Sequence, residues 1–233
     1  MLSDIEIANT AELHPITTEL DRAFAAKLAK MVERATQDLE QYRYANALES
    51  IETFFWSQFT DTYIELAKPR VWGSQGNATE RGSALSALRL GLNVLLRSFA
   101  PMLPYITEEI WSWVFAAETG QASIHRAPWP SASELAGVRP PDNPASFDLA
   151  MTCLNAINKA KSEAGVSAGR AVESLSLRAN ATTLAALAPV LADVAGAARC
   201  LSYGTQVDPA LADGAFAVVD ALYAEKAEKA EQA

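Results

Sequence analysis

Cysteine and histidine are scarce in this chain. It contains two of each, Cys153 and Cys200 among apolar neighbours, and His14 and His125 near prolines. Disulfide frameworks and zinc sites need more cysteines or paired histidines. We therefore predict no metal site, and two buried free thiols in a reducing compartment, which we expect to be the cytoplasm. A lone histidine is more often a packing or surface residue than a catalytic base.

Long apolar runs and catalytic motifs are also missing. No run reaches the roughly 18 apolar residues of a membrane span, and the first ten residues carry acids where a signal peptide has basic residues. There is no glycine-rich phosphate loop and no nucleophile elbow. Glu108 and Glu109 are adjacent in a predicted helix and point in different directions, which favours a helix-dipole role over a carboxylate pair. The sequence predicts no catalytic residue, no cofactor and no membrane contact.

Positive residues are outnumbered, with 19 Lys and Arg against 28 Asp and Glu and a net charge of -9. Phosphate binding relies on Lys and Arg, so this balance argues against a nucleic-acid partner for the chain as a whole. Binding follows the local field, however, and the balance reverses over residues 68–97, where Glu80 is the only acid. The positive residues of this basic segment are Lys68, Arg70, Arg81, Arg89 and Arg97.

Apolar residues recur at steps of three and four in the first half of the chain, which is the spacing of one helix face. Pro69 is expected to end the second helix, because the residue before a proline disfavours the helical region. Phe55 and Trp111 lie on apolar stripes, so we expect both in one core. The predicted helices cover about residues 15–39, 44–67, 85–99 and 107–115.

The later part of the chain has a different composition. Residues 117–146 contain five prolines and are interpreted as a long surface connection. Helical and strand-like patterns then alternate, which indicates a small α+β unit. The predicted fold is mainly α, an antiparallel helical bundle followed by a small α+β subdomain. The predicted boundaries are a lead-in at 1–14, the bundle at 15–116, the connection at 117–146, the α+β subdomain at 147–223 and a tail at 224–233.

Four stretches of the chain carry motifs of a known family. Residues 44–68 read YANALESIETFFWSQFTDTYIELAK, with a Phe-Phe-Trp cluster, and residues 92–113 read LNVLLRSFAPMLPYITEEIWSW, in which a Thr-Glu-Glu helix follows a proline. Residues 123–130 read SIHRAPWP and residues 156–166 read AINKAKSEAGV. These stretches resemble class I aminoacyl-tRNA synthetases. The Thr-Glu-Glu-Ile-Trp pattern is shared with isoleucyl and leucyl enzymes, whereas the Phe-Phe-Trp cluster and SIHRAPWP point to the valyl-tRNA synthetases.

The resemblance implies the helical, C-terminal anticodon-binding region of a ligase that joins valine to its tRNA with ATP. It also implies two partners, a valine-accepting tRNA and the catalytic domain of the same polypeptide. The family's HIGH-like and KMSKS-like ATP-binding signatures do not occur in the sequence. We therefore predict that this chain alone is catalytically inactive and that ATP is used by the missing domain. The family's linker helix and long coiled-coil arm also have no counterpart, as expected for an arm-less type or a truncation.

The candidate RNA contacts lie where the second predicted helix ends and the third begins. A basic cluster with an exposed aromatic residue suits the phosphates and unstacked bases of single-stranded RNA. The alternative at each position is a solvated helix end with ordinary capping charges. For the whole chain, the alternatives are a helical protein-interaction scaffold that binds no RNA and a free-standing relative that acts without a synthetase. The candidate residues are Lys68, Arg70, Trp72 and Arg81, with Lys159 and Lys161 as a weaker basic pair.

Overall fold

The computed structural model describes residues 14–225. It divides after Asp142 into two compact units, which we describe separately. The predicted lead-in, apart from His14, and all but the first two residues of the predicted tail lie outside the described residues.

The first unit is helical. A three-residue turn joins its first two helices, which therefore pack antiparallel to each other, and the first helix also packs against the long helix that follows the loop at residues 72–77. Its helices are α1 (Glu19–Glu40), α2 (Tyr44–Thr53), a π-helical segment (Phe54–Ile64), α3 (Glu65–Val71), α4 (Ala78–Phe99), α5 (Pro104–Val114), α6 (Ala116–Thr119), a 3-10 turn (Ile124–Arg126) and α7 (Ala132–Leu135).

The π-helical segment changes which aromatic residues face the core. Each π turn takes up one residue more than an α turn, so the buried positions step by five from Phe54 to Phe59. Phe55, which the α-helical spacing placed in the core, is half-buried, and its ring contacts Phe99 edge-on at a centroid distance of 5.6 Å. Trp111 is buried, but in a separate cluster that does not contain Phe55. The predicted burial of Trp111 is confirmed, but the prediction that it shares one core with Phe55 is wrong, since Phe54 is the buried residue at this turn.

The core beside this segment is a stack of aromatic rings around Phe24 of α1. The Phe24 ring lies 3.9 Å from the Tyr63 ring, nearly parallel to it, and 5.7 Å from the Phe59 ring. On α4, Gly91 approaches this stack so closely that an added Cβ would lie 2.9 Å from Phe24 and 3.0 Å from Phe59. A glycine is therefore needed at the point where α4 crosses the aromatic stack.

Pro69 does not end the second helix. The helical conformation continues through Pro69 to Val71, and the Trp72 amide still donates to the Lys68 carbonyl. The prediction was wrong because proline removes one backbone donor without preventing the next turn, and packing can offset the loss. Pro69 is buried, and its carbonyl oxygen accepts hydrogen bonds from the Ser74 and Gln75 amides of the loop that follows.

A buried ion pair joins three helices at this end of the unit. Arg70 of α3 binds both carboxylate oxygens of Asp21 in α1, with N–O distances of 2.7 and 2.9 Å. The Tyr63 hydroxyl and the Ser83 hydroxyl of α4 each donate to the same carboxylate at 2.7 Å. Arg70 also donates to the Glu80 carbonyl at 3.0 Å. Four donors thus compensate the burial of Asp21, as an ionised carboxylate in a protein interior requires.

The pKa of Asp21 reflects two opposing effects. Burial alone would raise it, but the hydrogen bonds and charge of Arg70, helped by Ser83 and Thr18, outweigh burial and hold the pKa below its ordinary value of 3.8. Folding therefore favours the ionised carboxylate.

Residues 117–142, which were predicted to belong to a surface connection, pack onto the helices of the first unit. Ile124 and Leu135 are buried, and the Trp129 indole donates to the Thr36 hydroxyl of α1 at 2.9 Å. Arg97 pairs with Glu134 at 2.6 Å. These contacts make the proline-rich residues up to Asp142 a cover for the helices.

The second unit is a three-stranded sheet with helices packed against it. The strand order is β2-β1-β3, with β2 parallel and β3 antiparallel to β1. The second predicted strand, at 200–203, begins later than expected, and only an isolated bridge involves Cys200. The elements are α8 (Ser146–Glu163), β1 (Val172–Ala179), α9 (Ala181–Leu187), a 3-10 turn (Ala188–Val190), α10 (Leu191–Ala197), β2 (Tyr203–Val207) and β3 (Ala217–Tyr223).

The predicted fold class, a helical bundle followed by a small α+β subdomain, is confirmed. Cys153 is a buried free thiol, and burial raises its pKa to about 12, whereas Cys200 is half-buried. Within residues 14–225, no three His, Cys, Asp or Glu side chains come together in a way that could hold a metal ion. None of the helices in that range is both long and apolar enough to cross a membrane.

The Asp21 ion pair makes a first prediction. Asp21→Asn should lower the free energy of unfolding by about 3–5 kcal/mol, because it leaves the Arg70 charge buried without its counter-ion. Denaturant midpoints at constant m-value measure this loss. Glu33→Gln, on the exposed side of the same helix, is the control and should change the midpoint little. A small loss for Asp21→Asn would mean that the pair is replaceable.

The pKa of Asp21 makes a second prediction. The pKa of Asp21 is lower in the folded than in the unfolded state. Its contribution to the free energy of unfolding is therefore fully present when the pH is above the pKa of the unfolded state. That contribution is lost as the pH falls through the pKa of the folded state. The stability difference between the parent and Asp21→Asn should be constant from neutral pH to about pH 5 and shrink at lower pH. Urea unfolding at a series of pH values tests this, and a pH-independent difference would contradict it.

The register of the π-helical segment makes a third prediction. Phe54→Ala should cost about 3–5 kcal/mol, the range for truncating a buried aromatic residue. Phe55→Ala should cost less than half as much, because part of its ring is already exposed to water. Equal losses in the two variants would indicate a regular α-helix in solution.

Candidate nucleic-acid interface

Most of the positive charge in the basic segment is neutralised inside the first unit. Arg70 is only 3% exposed and pairs with Asp21. Arg97 pairs with Glu134, and Arg89 pairs with Glu118. The expectation that Arg70 presents its charge at the surface is wrong, because helix α3 continues one turn further than predicted and turns this side chain towards α1. We therefore remove Arg70 from the candidate contact surface.

Lys68, Trp72 and Arg81 do lie at the surface, on either side of the loop at residues 73–77. Trp72 is 71% exposed and forms the C-cap of α3. The Lys68 ammonium group pairs with Glu65 and lies 6.0 Å from the centre of the Trp72 ring. Arg81 is exposed in the first turns of α4 and forms no ion pair with any residue in the described range. We call these three residues the loop-end surface.

The loop that carries this surface is held in one conformation. Gly73 and Gly76 have φ values of 73° and 77°, the left-handed region that glycine adopts at low cost. At the start of α4, the Asn77 side chain accepts from the Glu80 amide at 3.0 Å, and Glu80 accepts from the Asn77 amide at 2.8 Å. This capping box and the bonds to the Pro69 carbonyl give Trp72 and Arg81 defined positions. An exposed indole beside a positive charge can stack a base and hold a phosphate.

The weaker basic pair is separated by the structure. Lys159 is exposed on α8, at 3.9 Å from Glu163. Lys161 is fully buried, and its ammonium group donates to the Ala168 and Ala198 carbonyls at 2.8 and 2.7 Å. Burial and the nearby positive charge of Arg199 lower the pKa of Lys161. Lys161 therefore stabilises the loop that follows α8 through these two hydrogen bonds, and its charge is not exposed at the surface.

Two exposed cations on α1 were not singled out in the sequence. Lys30 and Arg34 are exposed and form no ion pair with any residue between 14 and 225. Together with Lys27 they line one side of a groove between α1 and α2. Their spacing of three and four residues was visible in the sequence as one helix face. No local excess of positive charge marks these residues in the sequence, because Glu33 and Asp38 lie close to them.

Comparison with known proteins identifies the family. The profile of the anticodon-binding domain of tRNA ligases matches residues 21–176. A valine–tRNA ligase of Salinispora tropica is 42% identical over 215 residues, which is 85% of this chain and 23% of that protein. A valine–tRNA ligase of Bifidobacterium longum is 42% identical over 190 residues, 79% of this chain and 20% of that protein. The corresponding protein of Thermobifida fusca is 36% identical over 84% of this chain.

The match to the family profile covers the aromatic core, the Asp21 ion pair and the loop-end surface. The chain spans about a fifth to a quarter of the length of the relatives named above. The similarity thus lies in the anticodon-binding portion of these ligases, as the resemblance in the sequence indicated. This chain belongs to the family of anticodon-binding domains of tRNA ligases.

Proposed function

We propose that this chain holds the anticodon stem-loop of a valine-accepting tRNA, as part of a cytoplasmic valine–tRNA ligase. In that ligase a separate catalytic portion of the polypeptide would use ATP to join valine to the tRNA, and this chain would need no cofactor. The observation that carries the proposal is the exposed Trp72 with the Lys68 ammonium group 6.0 Å from its ring centre, within a chain of the anticodon-binding family. The valine specificity rests on the valine–tRNA ligases among its relatives.

The chemistry of the loop-end surface suits a hairpin loop. Bases in an RNA loop are unstacked, so one of them can lie against the exposed Trp72 ring. Lys68 and Arg81 would then hold the phosphates on either side of that base. Stacking is tolerant of sequence, and hydrogen bonds to base edges supply specificity. The net charge of -9 would repel the rest of the RNA, so we expect one orientation of binding.

Phosphate contacts and base stacking can be separated by the dependence of RNA binding on salt concentration. Arg81→Ala should weaken binding of an anticodon stem-loop and make the logarithmic salt slope shallower by about 0.7 to 0.9, the value for one lost phosphate contact. Trp72→Ala should cost about 1–3 kcal/mol, the value for one stacked base, and leave the slope unchanged. Fluorescence anisotropy of a labelled hairpin at several salt concentrations measures both.

The controls are a hairpin with a scrambled loop and Arg178→Ala. Arg178 lies on β1 in the second unit and bonds to Gln206, so its loss should leave binding unchanged. If Trp72→Ala and Arg81→Ala bind like the parent at every salt concentration, the loop-end surface is not the contact. If the parent does not bind the hairpin at all, the scaffold function is favoured over RNA binding.

A further inference from the structure

Strand β2 of the second unit has an open edge. β1 lies on one side of β2, and no strand within residues 14–225 lies on its other side. All the residues of β2 are exposed, and because successive side chains point to opposite faces, neither face of the strand is covered. A row of outward backbone donors and acceptors is a template for pairing with a further strand. β2 is therefore the place in this sheet where another strand can be added.

The ladder between β1 and β2 determines which backbone groups of β2 point outwards. At its start, the Leu175 amide donates to the Ser202 carbonyl at 3.2 Å. At its end, the Asp208 amide donates to the Ala179 carbonyl at 2.9 Å. A parallel ladder is evenly spaced, so the even-numbered residues of β2 bond to β1. The residues whose amide and carbonyl groups point away from β1 are Tyr203, Thr205 and Val207.

The opposite edge of the sheet, formed by β3, is interrupted. Asp220 and Ala221 of β3 lie opposite the single residue Leu175 of β1, which is a β-bulge. Asp220 has a φ of 52°, in the left-handed region, and is exposed. Bulges and charged residues are devices that keep an edge from pairing with another chain. β2 has neither, because its register with β1 is unbroken and residues 201–207 contain no charged side chain.

The sequence of β2 is complementary to itself when two copies run antiparallel. With Thr205 opposite Thr205 of a second copy, Tyr203 lies opposite Val207, and the outward backbone groups of these positions meet as hydrogen-bonded pairs. Threonine pairs and pairs of an aromatic with a β-branched residue are favourable across strands. The net charge of -9 makes two copies repel each other, and this repulsion is smallest at an uncharged edge. These features favour a second copy of this chain as the partner.

We propose that β2 pairs with β2 of a second copy of this chain, antiparallel and centred on Thr205. The three-stranded sheets of the two copies would then form one continuous sheet. Both copies use the same patch, so the contact closes into a dimer with twofold symmetry. The bulge at Asp220 interrupts the other edge, so assembly stops at two copies. The proposal is independent of RNA binding, since the loop-end surface belongs to the first unit.

Sedimentation equilibrium of the 233-residue chain, from micromolar to millimolar concentrations, measures the association. The mass of the parent should rise with concentration from 25.0 kDa towards twice that value. Thr205→Lys and Thr205→Glu should each stay monomeric, because like charges would lie directly opposite each other. An equal mixture of the two variants should associate again, because opposite charges then face each other. Thr182→Lys, at an exposed threonine of α9, is the matched control and should associate like the parent.

Thr205→Pro tests the backbone bonds of the same contact. Proline has no amide donor, but the Thr205 amide points away from β1, so the sheet of each copy should persist. This variant should stay monomeric at every concentration and keep a denaturant midpoint close to that of the parent. Thr205→Val, which retains the amide and the β-branched shape, should still associate. If the proline unfolds the second unit, the charge variants still decide the test.

Three results would overturn the proposal. The first is a parent chain that stays at 25.0 kDa at every concentration, which would leave an extended segment of another protein as the strand that fits this edge. The second is association of Thr205→Lys or of folded Thr205→Pro like the parent, since the contact would then lie elsewhere. The third is a mixture of the Lys and Glu variants that stays monomeric while the parent associates, since Thr205 would then not face its own copy.

Discussion

The ion pair between Asp21 and Arg70 is the interaction on which the rest of the first unit depends. It joins α1 to α3 and, through Ser83, to α4, so three helices meet at one carboxylate. Taking two charges out of water is costly, and the pair repays this only because four donors surround the carboxylate. The pair also determines which residues at this end of α3 are exposed. It holds the Arg70 side chain in the interior, and Trp72, two residues later, is exposed to solvent.

Internal ion pairs of this kind also determine which positive charges remain at the surface of the first unit. Positive residues whose side chains meet an acid inside the unit form internal ion pairs, such as Arg70 with Asp21 and Arg97 with Glu134. In the basic segment this leaves Arg81, with Lys68 held partly by Glu65. On α1 it leaves Lys30 and Arg34. A net negative chain can therefore carry two small positive surfaces, and repulsion elsewhere restricts how an anionic ligand approaches them.

The π-helical segment links the core to the groove. One added residue per turn moves Phe54 and Phe59 onto the aromatic stack and moves Phe55 and Trp56 outwards. The same segment contributes Phe54 and Gln58 to the lining of the groove between α1 and α2. A regular helix of this sequence would distribute these side chains differently, so the packing of Phe24 and the shape of the groove have a common cause. Gly91 completes the arrangement, since only glycine lets α4 reach the stack.

The sequence by itself determined the helices, their order, the α+β end and the family, because these depend on apolar periodicity and on motifs within short stretches. It also indicated Trp72 and Arg81 as surface candidates at a loop. Only the tertiary structure decided the role of each charge. Arg70, Arg97 and Lys161 look like surface residues in the sequence, but Asp21, Glu134 and the Ala198 carbonyl, with which they pair, lie 49, 37 and 37 residues away along the chain. The π turn and the helix through Pro69 were likewise decided by packing, since the energy of a side chain against its neighbours exceeds the local preference of one turn.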